Sequence, residues 1–213
     1  MREGGTVLAL DLAMAFGWAE GTPGETPLVG SGRFAPAGSG HAAIGAEALA
    51  WFADRLAVSR PALVVIERPG LHSVAAGKSS FDVIYRLLGL AFLFEAVAYR
   101  RGVYNVKFAK AEDVRLHFVG TKSARGDAGK RLVQRRCDAL GWNWRNPDEA
   151  DALALFAYGC ELVAPGSGHK AAPGLFNASA APAARKPRQA LPSKISAKDA
   201  VALGLFGKPG RSK

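Results

Sequence analysis

The stretch Thr6-Val-Leu-Ala-Leu-Asp-Leu12 decides the fold, because it is an apolar run of strand length that carries a carboxylate near its end. A second run, Ala62-Leu-Val-Val-Ile-Glu67, is rich in β-branched residues, as expected for a buried central strand, and ends on another acid. A carboxylate at the end of a buried strand is costly unless it is paired, hydrogen-bonded or bound to a metal. Asp11 and Glu67 are therefore candidates for a shared site.

Two further acids, Asp148 and Asp151, lie at the start of a third apolar segment, Asn146-Pro-Asp-Glu-Ala-Asp-Ala-Leu-Ala-Leu-Phe156. Asn146 is a good N-cap and Pro147 fits the first helical position, so a helix is predicted to begin here, with Glu149 completing an arrangement similar to a capping box. Asp148 and Asp151 share a face of this helix. Asp148 alone allows the interpretation that it only interacts with the helix dipole. The apolar neighbours of Asp151 instead indicate a helix pressed onto the sheet.

Singly, the two strand acids also have ordinary explanations. An Asp at the end of a first strand often caps a turn, and Glu67 could belong to a buried salt bridge. Jointly, the order strand-Asp, central-strand-Glu and helix Asp-x-x-Asp is much more specific. Carboxylates are hard oxygen donors, so this set predicts a site for Mg²⁺, with Mn²⁺ as an alternative.

The sequence up to residue 164 alternates patterns that are typical of strands and of helices. Five strands are predicted, at residues 6–12, 16–21, 27–34, 62–66 and 103–106. Five helices are predicted, at residues 41–58, 80–101, 111–118, 126–140 and 147–163. This order indicates an α/β fold with a mixed five-stranded sheet and helices on both faces.

The basic charge is concentrated at one end of the chain. The net charge is +10, but residues 165–213 contain nine Lys or Arg and a single acid, which leaves residues 1–164 close to neutral. After Pro165 the composition shifts to Ala, Pro, Gly, Ser and Lys, which cannot bury enough apolar surface to become ordered. We expect a folded domain at residues 1–164 and a flexible, disordered basic tail at residues 165–213. The tail could grip nucleic acid without sequence preference or be a solvated linker.

Composition also predicts the compartment. Cys137 and Cys160 have no Cys or His nearby at metal-binding spacing, which indicates free thiols in a reducing environment. The N-terminus does not have the pattern of a signal peptide. The longest apolar stretch, residues 87–98, is too short for a membrane span. The sequence therefore predicts a cytoplasmic protein without membrane association.

At the acidic residues, the chain resembles the RuvC family of Holliday-junction resolvases, within the RNase H-like superfamily, phage-type members included. The resemblance runs from about Thr6 to Glu161. The motifs that carry it are Leu10-Asp11 followed by a small-residue turn and Gly17-Trp18-Ala19; Val65-Ile66-Glu67; a long helix with Gly89; Val114-Arg115 leading to Val119-Gly120 and Lys130; and Asp148-Glu-Ala-Asp151-Ala-Leu-Ala. After the central acid, the family carries a loop with an aromatic residue that stacks on DNA, whereas this chain has Pro69-Gly70-Leu71-His72.

The resemblance implies a structure-selective endonuclease that hydrolyses phosphodiesters in branched or junction DNA by a two-metal mechanism, leaving a 5′-phosphate and a 3′-hydroxyl. It assigns the metal-binding catalytic roles to Asp11, Glu67, Asp148 and Asp151. Arg115 and Lys130 match basic positions that the family places near the scissile DNA, although they could equally be ordinary helix-surface charges. The candidates for holding DNA outside the acidic site are the basic side chains Lys78, Arg115, Lys122, Arg125, Lys130 and Arg131.

The helix predicted at residues 80–101 is apolar on more faces than contact with one sheet requires. RuvC-like enzymes pair through this helix, so the resemblance implies a homodimer. A helix that is fully buried within the monomer is the alternative.

Two other functions are compatible with parts of the sequence. A branched-DNA-binding protein that does not cut, built on a nuclease fold, would explain the basic tail but not the complete set of four acids. A phosphotransferase of the actin and sugar-kinase superfamily shares the opening strand, acid and turn. That fold requires a second glycine-rich phosphate loop after a later strand, and residues 103–165 contain no such loop.

Overall fold

A five-stranded mixed sheet forms the centre of the part of the chain that the structure describes. The structure, a computed structural model, describes residues 5–69, 80–123 and 126–171. The strands are β1 (Val7–Asp11), β2 (Ala15–Gly21), β3 (Leu28–Arg33), β4 (Leu63–Glu67) and β5 (Val106–Ala109). Their order across the sheet is β3-β2-β1-β4-β5. The first three strands pair antiparallel, whereas β4 lies parallel to both β1 and β5. The predicted mixed sheet is confirmed.

Helices cover both faces of this sheet, also as predicted. They are α1 (His41–Ser59), α2 (Phe81–Arg100), α3 (Ala111–Val119), α4 (Gly126–Ala139) and α5 (Pro147–Val163). One core lies between the sheet and α1 and α2, and it includes a stacked pair of rings, Phe52 and Phe94. The other core lies between the sheet and α3, α4 and α5. Among the described residues, no helix combines the length and hydropathy that a membrane span requires.

The predicted bounds of nine elements agree with the structure to within one residue, but those of the last strand are wrong. The strand lies at Val106–Ala109, not at residues 103–106. The reason is the way α2 ends, since Gly102 adopts a left-handed φ of 79° and the Val103 N–H donates to the Ala98 carbonyl at 2.9 Å. This is the hydrogen-bond pattern of a Schellman motif. Val103 therefore completes the helix end, and pairing with β4 begins three residues later.

The described chain continues for eight residues beyond α5 and packs against α3. The Ala171 N–H donates to the His117 carbonyl at 2.9 Å, and Nε2 of His117 lies 2.8 Å from the Gly168 carbonyl oxygen. Ala171 and Gly168 are both buried. Residues 172–213, which hold most of the predicted basic tail, lie outside the described residues.

Candidate active site

Asp11 and Glu67 lie side by side at the same end of the two central strands. They close β1 and β4, which run parallel with Leu10 opposite Ile66. Successive side chains of a strand point to opposite faces, and Ala9 and Val65 belong to the core against α5. Two residues further on, Asp11 and Glu67 point to that same face. Both side chains are partly buried.

A glycine allows the start of α5 to approach this edge. Gly17 of β2 pairs with Asp11, and a Cβ atom at Gly17 would collide with the backbone carbonyl of Asp148. The first turn of α5 therefore lies directly on the strand that neighbours Asp11. This close approach brings Asp148 and Asp151, three residues apart on the helix, next to the two strand acids.

The start of α5 is fastened by a buried acid whose role was missed at the sequence level. The Glu149 side chain is fully buried and accepts hydrogen bonds from Ser31 Oγ at 2.8 Å, the Arg145 backbone N–H at 2.7 Å and Arg145 Nη2 at 2.7 Å. Asn146 caps the helix by accepting from the Glu149 N–H at 3.0 Å, as predicted. The reciprocal bond of a capping box, however, goes to Arg145 rather than to Asn146. Only the Glu three residues after the cap signalled this arrangement, and that spacing does not indicate burial.

The four acids interact electrostatically with one another. Burial raises the pKa of Asp11 well above its usual value, and repulsion from Glu67, Asp151 and Asp148 raises it further. Burial and the charge of Asp151 raise the pKa of Glu67 to about 7. Burial, with a contribution from Asp148, raises the pKa of Asp151 to about 6. The fold has thus placed like charges together at a cost, which is a recurrent property of functional sites.

Two of the predicted basic residues act on this acidic cluster. Lys130 Nζ lies 3.8 Å from Asp151 Oδ2, with half of the lysine side chain exposed. Both Arg115 and Lys130 lower the pKa values of Glu67 and Asp151, partly offsetting burial and repulsion. The structure therefore brings together all four acids and two of the six basic candidates.

The remaining basic candidates lie elsewhere or outside the described residues. Lys122 forms an exposed ion pair with Asp113, with an N–O distance of 3.0 Å. Arg131 is exposed on α4. Lys78 and Arg125 lie outside the described residues.

The carboxylates match the chemistry of a divalent-cation site. Across residues 5–69, 80–123 and 126–171, no three His, Cys, Asp or Glu side chains lie close enough to hold one ion as they stand. The donors in the acidic cluster are nevertheless all hard oxygens, which Mg²⁺ and Mn²⁺ prefer. A bound cation would also relieve the mutual repulsion of the carboxylates, because a nearby positive charge favours the ionised form of each acid.

Comparison with known proteins identifies the fold. No protein-family model and no curated protein sequence matches this chain. Among solved structures, Thermus thermophilus RuvC matches with a TM-score of 0.56 and 16% identity, over 74% of this chain and 95% of that one. Thermus thermophilus RuvC in complex with a Holliday junction substrate matches with a TM-score of 0.57 and 15% identity, over 75% and 96% of the two chains.

A yeast mitochondrial Holliday junction resolvase is similar in the same way. Its TM-score is 0.55 at 12% identity, and the match covers 75% of this chain and 79% of that one. The similarity covers nearly the same share of this chain as the predicted resemblance, which is thereby confirmed for the architecture. The chain has the RuvC-like, RNase H-like fold of the Holliday junction resolvases.

Proposed function

We propose that this chain is a divalent-metal-dependent endonuclease that hydrolyses phosphodiesters in branched DNA, Holliday junctions included. The observation that carries the proposal is the gathering of Asp11, Glu67, Asp148 and Asp151 at one sheet edge, where burial, together with mutual repulsion, raises the pKa values of three of them. A protein without a cation to bind gains nothing from such a cluster. The similarity to resolvases, one of them bound to a Holliday junction, supports branched DNA as the substrate.

In this proposal the four carboxylates hold Mg²⁺ or Mn²⁺. A pair of such cations would supply activation of water as the nucleophile and stabilisation of the leaving 3′-oxygen. Asp11 and Glu67, on adjacent strands, provide a rigid half of the site. Asp148 and Asp151, on the first turns of α5, provide the other half, and Gly17 and Glu149 fix its position.

Lys130 and Arg115 have a positioning role in this account. Because both lower the pKa values of Glu67 and Asp151, they favour the ionised form that a metal ligand requires. The Lys130 ammonium also partly neutralises Asp151 when no other cation is bound. With half of its side chain exposed, Lys130 can contact a DNA phosphate close to the acidic cluster.

DNA also needs contacts outside the acidic cluster, because the carboxylates repel phosphates. Lys122 and Arg131 provide exposed basic groups close to α3 and on α4. Lys78 and Arg125 are candidates for the same role from the sequence alone. Residues 165–213, with nine basic side chains, would add a grip that weakens as salt rises.

We further propose that two copies pair through α2. This helix leaves large apolar side chains exposed, among them Phe81, Tyr85, Leu88 and Phe92 in its N-terminal half and middle. Nothing lies within 4 Å of a Cβ atom placed at Gly89, so a second helix could approach closely there. A contiguous exposed apolar surface on a helix is characteristic of an interface. A homodimer would present two acidic clusters to two DNA strands.

The test is a cleavage assay with purified protein on four-way, three-way, flap and linear duplex DNA, with Mg²⁺, with Mn²⁺ and with EDTA. We expect metal-dependent nicking of branched substrates and little cutting of linear duplex. Tight binding of branched DNA without turnover across both metal titrations would instead support the alternative of a non-cleaving junction-binding protein. If the protein neither binds nor cuts branched DNA, both functions are rejected.

A further inference from the structure

Arg86 is a partly buried cation on α2 whose side chain reaches the turn between β1 and β2. Its Nη1 donates to the sulfur of Met14 at 3.0 Å. A thioether is a weak hydrogen-bond acceptor, and a guanidinium carries five donors. In the part of the chain that the structure describes, Arg86 therefore has a contact but not an oxygen acceptor that matches its charge.

The rest of the described chain does not satisfy this guanidinium. Nε of Arg86 is buried without a hydrogen-bond partner. The Nε atoms of Arg55 and Arg136 share this property, but Arg55 forms an ion pair with Glu20 and Arg136 donates to the His169 carbonyl at 3.2 Å. Within residues 5–69, 80–123 and 126–171, Arg86 has no such oxygen partner. Guanidinium donors that are removed from solvent are normally paired, so an acceptor is expected from outside the described residues.

The stretches of sequence outside the described residues contain few acids that could supply a counter-charge. Residues 70–79, which connect β4 to α2, contain neither Asp nor Glu. Residues 1–4 contain Glu3, and residues 172–213 contain one acid, Asp199, among eight basic residues. An external anion is therefore the better candidate.

The position of Arg86 indicates which anion this is. Met14 follows Asp11 by three residues, in the turn that leaves the end of β1. Arg86 thus contacts the turn that follows Asp11 from the α1 and α2 face of the sheet, whereas Asp148 and Asp151 lie on the opposite face. A DNA strand that crosses this edge would pass both.

We propose that Arg86 binds a backbone phosphate of the DNA substrate beside the acidic cluster. The inference rests on the proposed function and adds to it a specific phosphate contact on the face opposite α5. The planar guanidinium suits this role, because its fork of N–H donors matches two phosphate oxygens.

The alternative partner for Arg86 is a carboxylate of a second copy of this chain. The structure favours this alternative less than a DNA phosphate. On α2, Asp82 already lies 3.8 Å from His41. Glu95 is nine residues from Arg86, which is about 13 Å along a helix axis. The Arg86 side chain points instead to Met14, toward the end of β1.

The test measures the affinity for a four-way junction as a function of salt, with catalysis blocked by EDTA. Arg86→Met keeps the length of the side chain and removes the charge. We expect about tenfold weaker binding near 0.15 M salt, together with a salt slope shallower by about one unit, as for the loss of one phosphate contact. Arg100→Met is the matched control, since it removes an exposed charge from the last turn of the same helix. We expect a much smaller change from it.

Three outcomes separate the possibilities. If wild-type protein does not bind branched DNA, the proposed function fails, and the Arg86 proposal fails with it. If wild-type protein binds and Arg86→Met binds equally well with the same slope, the function stands and the Arg86 proposal is overturned. If Arg86→Met changes the oligomeric state in sedimentation without changing the salt slope, the phosphate contact is overturned. Arg86 then pairs with a carboxylate of a second copy instead. Thermal unfolding of Arg86→Met controls for folding, because the substitution removes only a weak hydrogen bond to Met14 and should change stability little.

Discussion

Gly17 packs directly against the backbone carbonyl of Asp148, so no larger residue fits between β2 and the start of α5. Together with the hydrogen bond from Ser31 to Glu149, this contact joins the antiparallel half of the sheet to the helix that carries two of the four acids. The glycine is required by the close approach of two backbones and not by an unusual φ, since it is not among the glycines with positive φ.

Gly17→Ala should therefore disrupt both stability and the site. A Cβ atom there must displace α5, and overpacking of this kind destabilises a protein by about 1–3 kcal/mol. Chemical denaturation measures this loss, and cleavage should fall by more than the unfolded fraction explains. Gly45→Ala in α1 is the control: nothing lies within 4 Å of its added Cβ, and a Gly to Ala change in a helix stabilises by about 0.5–1 kcal/mol. Equal effects of the two substitutions would contradict the close-approach argument.

Glu149 should act as a structural acid rather than a metal ligand. Glu149→Gln weakens its bonds to Arg145 and Ser31, and hydrogen bonds to a charged group contribute about 1.5–3 kcal/mol. We expect a loss of stability of that order in urea unfolding, whereas Glu25→Gln at an exposed position should change little. If Glu149→Gln instead lost metal binding while keeping full stability, the role given to this acid would be wrong.

The metal-free protein should lose stability as the pH rises. The pKa of Asp151 is about 6 in the folded state against 3.8 when exposed, and that of Glu67 is about 7 against 4.5. A raised folded pKa means that the folded state holds the proton more tightly. The contribution of these two acids to folding stability is therefore complete at pH values below their unfolded pKa values. It is lost as the pH rises through their folded pKa values of about 6 and then about 7. Scanning calorimetry in EDTA should show Tm falling between pH 5 and pH 8.

Substitution and metal addition check the source of that pH dependence. Glu67→Gln should flatten the fall in Tm, whereas Glu47→Gln, on the exposed side of α1, should leave it unchanged. Mg²⁺ should raise Tm more at pH 8 than at pH 5, because it binds the ionised carboxylates. A Tm that rises steadily from pH 5 to pH 8 in EDTA would show that the acids are not repelling one another.

The apolar surface of α2 predicts a dimer that a single charge can separate. Phe92 is 74% exposed in the single chain, and Phe92→Glu would place a carboxylate within the proposed interface. Sedimentation velocity should show dimers for the wild type and monomers for this variant. Val58→Glu, at a position 84% exposed on α1, is the control and should remain dimeric. A wild type that is monomeric at micromolar concentration would reject pairing through α2.

Local patterns were sufficient to predict most of this fold. The apolar runs ending at Asp11 and Glu67, the cap at Asn146 and the long apolar helix each depend on neighbours in sequence, so periodicity and capping chemistry locate them. The prediction of the fifth strand was wrong, and the reason is also local. Val103 has the character of a strand residue, but the preceding Gly102 allows a helix-ending motif that uses the Val103 N–H before a strand can begin.

The sequence was sufficient to predict which acids lie together, but not which contacts hold them in place. Strand alternation puts Asp11 and Glu67 on one face, and helical spacing puts Asp148 with Asp151. By contrast, the fit of Gly17 under α5, the burial of Glu149 beside Ser31 and the reach of Arg86 to Met14 all join residues far apart in sequence. Contacts of this kind depend on the packing of whole elements, which composition and spacing do not specify.

The most direct test of the acidic cluster compares the rates at which Asp151→Asn and the wild type cleave a four-way junction in the presence of Mg²⁺. Loss of groups that merely support metal ligands reduces metal affinity or activity about 10–100-fold, so loss of a ligand should reduce nicking by more than about 100-fold. Junction binding in EDTA should persist in the variant. Junction cutting by Asp151→Asn at the wild-type rate would contradict the assignment of these four carboxylates to catalysis.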